Sequence, residues 1–196
     1  MPTGDETPTL KQALSGYFAD NGFAADGGYT DKWVVGMFGP VPFAFPNVEA
    51  RRRAVRVHDL HHVLTGYATD GVGDGEIPAW ELASGCTQYG AALYLNVLGM
   101  FVGWLLARDA IWRAFVRGRR SRNFYDRTYD EALLATPVAT ARATMLPDTT
   151  PAADAPATAD ERRAFALWLA AGAASVRAHL TLLAALVSGL LFAWWV

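Results

Sequence analysis

Apolar positions along the chain gather into helix-length blocks separated by glycine, proline and charged breaks. Nowhere do they alternate with the period of two that marks a half-buried strand. Residues 9–20 suit a short helix that stops at Asp20-Asn21-Gly22. Residues 22–46, punctuated by Gly27-Gly28, Gly36, Gly39-Pro40, Pro42 and Pro46, read as an irregular loop with one extended piece at Trp33-Val34-Val35. Asn47 is placed to cap a helix that runs to about Tyr67, with Glu49 in its first turn. A second long helix is expected from near Glu76 to about Ala107, and its part over 91–107 is apolar almost all round. The arginine-dense stretch 109–122 comes next. Asn123 or Asp126 is then expected to start a helix through Glu131 to Thr136, which Pro137 restarts toward Met145 and Leu146. Residues 147–156 (PDTTPAADAP) form a polar, proline-broken linker. Thr158-Ala159-Asp160-Glu161 then has capping-box spacing and launches a helix toward the tail. The pattern predicts an all-α fold: a single helical domain over 1–146, a linker over 147–157 and a hydrophobic C-terminal helix over 158–196.

Composition sharpens this picture. Apolar residues make up 52% of the 196 and charged residues only 18%, against a usual ~25%. The apolar excess points to lipid, a membrane or a greasy ligand. A net charge of -2 without a recognisable motif argues against nucleic acid. The N-terminus is acidic and has no apolar leader core, so no signal peptide is expected. Cys86 is the single cysteine and reads as a small buried hydrophobe. Residues 180–196 (LTLLAALVSGLLFAWWV) are uncharged and ~26 Å long as a helix, the short limit for a bilayer span, with Trp194 and Trp195 suited to an interfacial belt. A buried terminal helix or a homodimer seam fits the same residues. Gly99 and Gly103 make a small-xxx-small face that serves helix packing in water or in lipid.

The candidate chemistry lies in His58-Asp59-Leu60-His61-His62. Positions i and i+4 share one helix face, so His58 and His62 can aim at one point, while His61 points away from the pair. The carboxylate-bearing loop Asp70-Gly71-Val72-Gly73-Asp74-Gly75-Glu76 follows at once. Two imidazole nitrogens with nearby carboxylates suit zinc, iron or manganese. Other metal patterns fit worse. A di-iron bundle needs two carboxylate-x-x-His pairs, and only Asp59-x-x-His62 is present. A zincin would need glutamate where Asp59 stands. There is no phosphate-binding loop, dinucleotide signature or G-x-S-x-G elbow. His179, beside Arg177, reads as interfacial. The groups Arg51-Arg52-Arg53-Arg56 and Arg113-Arg117-Arg119-Arg120-Arg122 read as solvated helix faces, or as partners for anionic headgroups.

The run His58-Asp59-Leu60-His61-His62-Val63-Leu64-Thr65-Gly66-Tyr67, followed by Gly75-Glu76-Ile77 and Trp80-Glu81, resembles the coenzyme Q (ubiquinone) biosynthesis protein 4 family. Gly118-Arg119-Arg120 and Phe124-Tyr125-Asp126-Arg127 are similar to that family's basic-aromatic segment, so that the likeness spans roughly residues 15–145. The resemblance implies a helical, membrane-associated protein holding a divalent ion, zinc or iron/manganese, beside a tunnel for a polyprenyl lipid or quinone precursor. It further implies metal ligation by His58, Asp59, His62 and Glu76. The family's spacing, with eleven residues before the glutamate, lands here on Asp74; Glu76 comes two residues later, an insertion that glycines 71–75 can absorb, and Asp74 is its rival. Asp74 and His61 are the candidates for orienting a ligand or moving a proton, and Arg119 and Arg120 for contacting headgroups. The implied activity is metal-dependent, net oxidative C1 decarboxylation of a polyprenyl hydroxybenzoate on the cytoplasmic face of the inner membrane. A non-catalytic scaffold for other ubiquinone-biosynthesis enzymes is the alternative.

Overall fold

The computed structural model describes residues 7–38, 41–146 and 156–195. Helix α1 (Leu10–Asp20) opens on a capping box in which Thr9 and Gln12 exchange side-chain and backbone hydrogen bonds, and it buries Leu10, Leu14 and Phe18. Helix α2 (Glu49–Thr65) ends where Gly66 takes a φ of 77° and returns its N–H to the His62 carbonyl. Asn47 does not cap it; Val48 holds that position. The Asn47 amide is drawn away, donating to the carbonyls of Gly28 and Asp31 and accepting from Arg51, and so ties the preceding loop to α2.

Two expectations need correction. Residues 33–46 are not an irregular loop but an antiparallel hairpin, β1 (Trp33–Phe38) and β2 (Val41–Pro46). Both of its faces are apolar, so the alternation that reveals a half-buried strand is absent. The long helix expected over 76–107 is two helices, α3 (Gly73–Ser84) and α4 (Gly90–Leu106). The break falls at Gly85, with a φ of 107°, where the Asn123 amide donates to the Gly85 carbonyl and the Ser84 hydroxyl. Asn123 therefore fastens a turn instead of starting a helix. After α5 (Arg108–Arg119) come α6 (Glu131–Leu134), capped by Asp130, and α7 (Val138–Met145), entered through Pro137. The fold is mostly helical, with the hairpin its departure from all-α.

Helix α3 is the centre. It packs against both α4 and α5, and Ile77, Ala79, Trp80 and Glu81 on it are wholly buried. The approach of α4 is permitted by missing side chains: a methyl on Gly103 would stand 2.6 Å from the Gly75 Cα, and one on Gly99 2.8 Å from the Pro78 ring. The small-residue face is thus used for packing inside the domain. Helix α8 (Ala159–Trp195) starts on a reciprocal Thr158–Glu161 capping box, and Arg120 grips Glu161 at 3.0 and 3.2 Å. It then lays Phe165 against Trp112 and Phe115, and Gly172 against Phe101. Beyond Val176 every described residue of α8 is exposed. Most of the linker, 147–155, lies outside the described residues.

Two identical substitutions should move stability in opposite directions. Gly16 lies exposed in α1 with open space around it, so Gly16→Ala should raise stability by about 1 kcal/mol. Gly103→Ala must push two backbones apart and should lower it by about 1–3 kcal/mol. Chemical denaturation in detergent reads both.

Candidate functional site

The first two turns of α2 carry basic residues and its last turns carry the histidines. His58 and His62 lie one above the other, with ring centroids 5.0 Å apart and planes at 80°. Behind them is a wholly buried carboxylate, Glu81 of α3. Its Oε1 accepts from His61 Nδ1 at 2.6 Å and His58 Nδ1 at 3.1 Å. Its Oε2 accepts from the Asn96 amide at 2.5 Å and the Tyr125 hydroxyl at 2.9 Å. Four donors from two helices, α2 and α4, and the segment after α5 thus satisfy one charge removed from water.

Each histidine has a different electrostatic fate. Burial disfavours the His58 imidazolium, but the Glu81 charge and hydrogen bond overcome this and raise His58 to about 9. Burial pushes the Glu81 carboxyl up, yet His58 and the bonds from both imidazoles hold it far below the usual carboxylate range. Burial depresses His61, whose Nε2 accepts the Phe124 N–H at 2.9 Å, so both of its ring nitrogens are committed. It is buried behind the pair, as a residue pointing away from their shared face. His62 is lowered to about 4 by burial and by the His58 charge. Its Nδ1–H donates to the Tyr67 carbonyl at 3.0 Å, and Tyr17 stacks on its ring.

The other sequence-derived candidates are dispersed around this pair. Asp59 is buried and accepts from the Tyr29 hydroxyl at 2.7 Å. Asp74, exposed in the first turn of α3, lines the same cavity as His58. Glu76 is half-buried; burial raises its carboxyl while Arg113 and Arg117 of α5 pull it back. Arg120 is taken up by Glu161, whereas Arg119 is exposed. Among the described residues no three His, Cys, Asp or Glu side chains are gathered ready to hold a cation. The chemistry of the two imidazoles nevertheless fits one. Both have Nδ1 anchored, His58 on a carboxylate and His62 on a backbone carbonyl, the outer contact that orients Nε2 for metal ligation. A carboxylate is still needed to complete the shell.

The His58 cavity encloses about 200 Å³ between α2, α3 and α4. Its walls include Ala54, Val55, Pro78, Ala92, Leu95 and Gly99, and its polar groups are Arg51, His58, Asp74, Asn96 and Tyr125. Sites for drug-sized ligands run to about 300–1,000 Å³, so this one suits a single small ring. His62 faces a second, more open space of about 420 Å³ beside Tyr17, Tyr67 and Arg142. Sequence reasoning quoted Glu81 and Tyr125 only as parts of motifs and missed Asn96. A local signal existed: Glu81 and Asn96 are isolated polar residues within apolar helical stretches.

Because His58 is raised above its ordinary value, its pairing with Glu81 stabilises the fold fully below about pH 6.5 and loses that contribution as pH climbs through about 9. The thermal midpoint of metal-free protein should fall across that interval, and His58→Gln should flatten the slope. Glu81→Ala removes the buried carboxylate that pairs with His58 and should cost about 3–5 kcal/mol. No family model, curated protein or solved structure matches this chain.

Proposed function

We propose that the chain is a ubiquinone-biosynthesis protein that holds a divalent ion, zinc or iron/manganese, at His58 and His62. Asp59 and a carboxylate from the first turn of α3, Glu76 or Asp74, complete its ligands. The reaction we assign is replacement of the C1 carboxylate of a polyprenyl hydroxybenzoate by hydroxyl. The C1–carboxylate bond breaks and CO2 leaves; one atom of dioxygen goes to C1, and the other leaves as water with two electrons and two protons from a reductant. The observation that carries this reading is the pair of Nδ1-anchored imidazoles one turn apart on α2, of which His58 lines a mainly apolar cavity of single-ring size. The motif's resemblance to the coenzyme Q family supplies the substrate class.

When bound, the ion supplies Lewis acidity toward the substrate's carboxylate or phenolate. The protein's own groups do the rest. Glu81 and the Tyr67 carbonyl orient the two imidazoles. Arg51, at the cavity wall, offers a cation to the substrate's carboxylate. Asp74, at the same wall, is placed to orient a ligand or carry a proton, while His61 positions Glu81. Pro78, Ala92, Leu95 and Gly99 exclude water around the ring.

The membrane enters through α8, the described helix long and apolar enough to cross a bilayer. Its 37 residues extend ~55 Å, and the half beyond Val176 touches the domain only lightly, at His179, whose Nε2 meets the Tyr94 hydroxyl at 2.6 Å. We assign this half to the inner membrane, with the domain on the cytoplasmic face. A scaffold that binds lipid and other ubiquinone-biosynthesis enzymes without turnover is the second reading, and the exposed tail serves it equally well.

Element analysis of purified protein should find about one divalent ion per chain, and His58→Ala with His62→Ala should lose it while remaining folded and detergent-dependent. Glu76→Gln and Asp74→Asn compared side by side should identify the carboxylate by the greater loss of bound metal, on the order of 10–100-fold in affinity. Absence of CO2 release by metal-loaded protein with dioxygen, a reductant and a prenylated hydroxybenzoate would leave only the scaffold. Release of the protein from membranes by alkali without detergent would remove the anchor.

A further inference from the structure

Residues 33–46 (WVVGMFGPVPFAFP) carry no charged side chain. The β1–β2 hairpin they form has no substantial packing against any helix among the described residues, and none of its described side chains belongs to the core or lies against it. The register sets Trp33 opposite Pro46 and Val35 opposite Ala44, so these four share one face, and all four are exposed, Val35 by 76%. On the other face Phe45 lies beneath the Arg51 guanidinium at 5.7 Å. A lone two-stranded hairpin is marginal in water, and an apolar face of this kind needs a cover.

The position of the hairpin says what covers it. Arg51, which rests on Phe45, also lines the His58 cavity together with Leu95 of α4. Next to Leu95, itself 42% exposed, Tyr94 binds His179, and from there α8 runs on wholly exposed. The hairpin thus meets the cavity wall through Arg51, and the cavity's Leu95 is the sequence neighbour of Tyr94, where α8 meets the domain through His179. Charged residues resume at both ends of the stretch, Asp31 and Lys32 before it and Glu49 and Arg51 to Arg53 after it. Glu49 pairs with Arg52 and Arg53, which leaves Lys32 and Arg51 as the cations nearest the hairpin for anionic headgroups. Prolines at 42 and 46 remove two N–H groups from the strand that would otherwise be offered to a second copy, which disfavours edge-to-edge pairing.

We propose that the β1–β2 hairpin dips into the interfacial layer of the same bilayer that α8 enters, placing the mouth of the His58 cavity at the membrane surface. The inference rests on the anchoring role assigned above to α8 and deepens it. A cavity of about 200 Å³ takes a ring but not an isoprenoid chain, so the substrate's tail stays in the lipid while its ring turns in beside His58.

The test uses the full chain in vesicles of phosphatidylcholine and phosphatidylglycerol in equal parts. An environment-sensitive fluorophore is attached in turn at Val35→Cys, Ala44→Cys, Leu190→Cys in α8 and Thr140→Cys in α7, with the buried Cys86 left in place. Both hairpin probes should shift to shorter wavelength and be quenched by headgroup-level nitroxide lipids at least about twofold more than the Thr140 probe. If the hairpin probes stay as wet as Thr140 while Leu190 is quenched, the hairpin contact is wrong and the anchor stands. If Leu190 also remains in water, anchor and hairpin contact fail together. A blue shift at Val35 that grows with protein concentration without vesicles would overturn the proposal in favour of a second copy.

Discussion

A single buried carboxylate dictates the arrangement of this molecule. Removing the Glu81 charge from water costs several kcal/mol unless its oxygens are fully met, and the effective penalty is repaid only by well-placed donors. His58 and His61 come from α2, Asn96 from α4 and Tyr125 from the segment beyond α5. No two of these elements can shift relative to α3 without stranding the charge. The apolar contacts around it, Trp80 on His61 and Phe124 stacked on the same ring, exclude the water that would otherwise weaken these bonds. Packing and polarity here enforce one another, and His58 is oriented as a by-product of holding the core together.

That coupling explains what could be seen from the chain alone. The ends of α1 and α8 were legible because their caps are local: Thr9 with Gln12 and Thr158 with Glu161 are three residues apart. The His58–His62 pair was legible for the same reason, since helical spacing alone brings the rings together. The break at Gly85 was not, because its stabilising partner, Asn123, comes from 38 residues away. The hairpin was hidden by the uniform apolarity of residues 33–46, which leaves periodicity nothing to report. Glu81's partners lie 15, 20, 23 and 44 residues away in sequence, so nothing local tied them to it.

The two imidazoles have been given opposite characters by neighbours on either side of one helix. Glu81 favours charge on His58, whereas His62 is buried beside that charge with only a carbonyl to meet its Nδ1. A cation approaching both rings must displace a proton from His58 but none from His62, and it must draw a carboxylate inward. Asp74 shares the His58 cavity, while Glu76 answers to Arg113 and Arg117. Metal uptake would therefore be coupled to pH through His58 and to the first turn of α3 through whichever acid moves.

The apolar excess of the chain, conspicuous in its composition, is divided unevenly by the fold. Helix α4, apolar on nearly every side, is partly covered by glycine-to-glycine contact with α3 and by α8 lying across it, and keeps Leu105 and Leu106 exposed at its end. Much of what the domain leaves uncovered lies in the hairpin and in the far half of α8, and Tyr94 and Leu95 are exposed on α4 beside the His58 cavity. Under the proposed function, their placement beside a cavity too small for a lipid chain would make them the boundary between the compartment that holds the tail of a prenylated ring and the one that holds its reacting carbon.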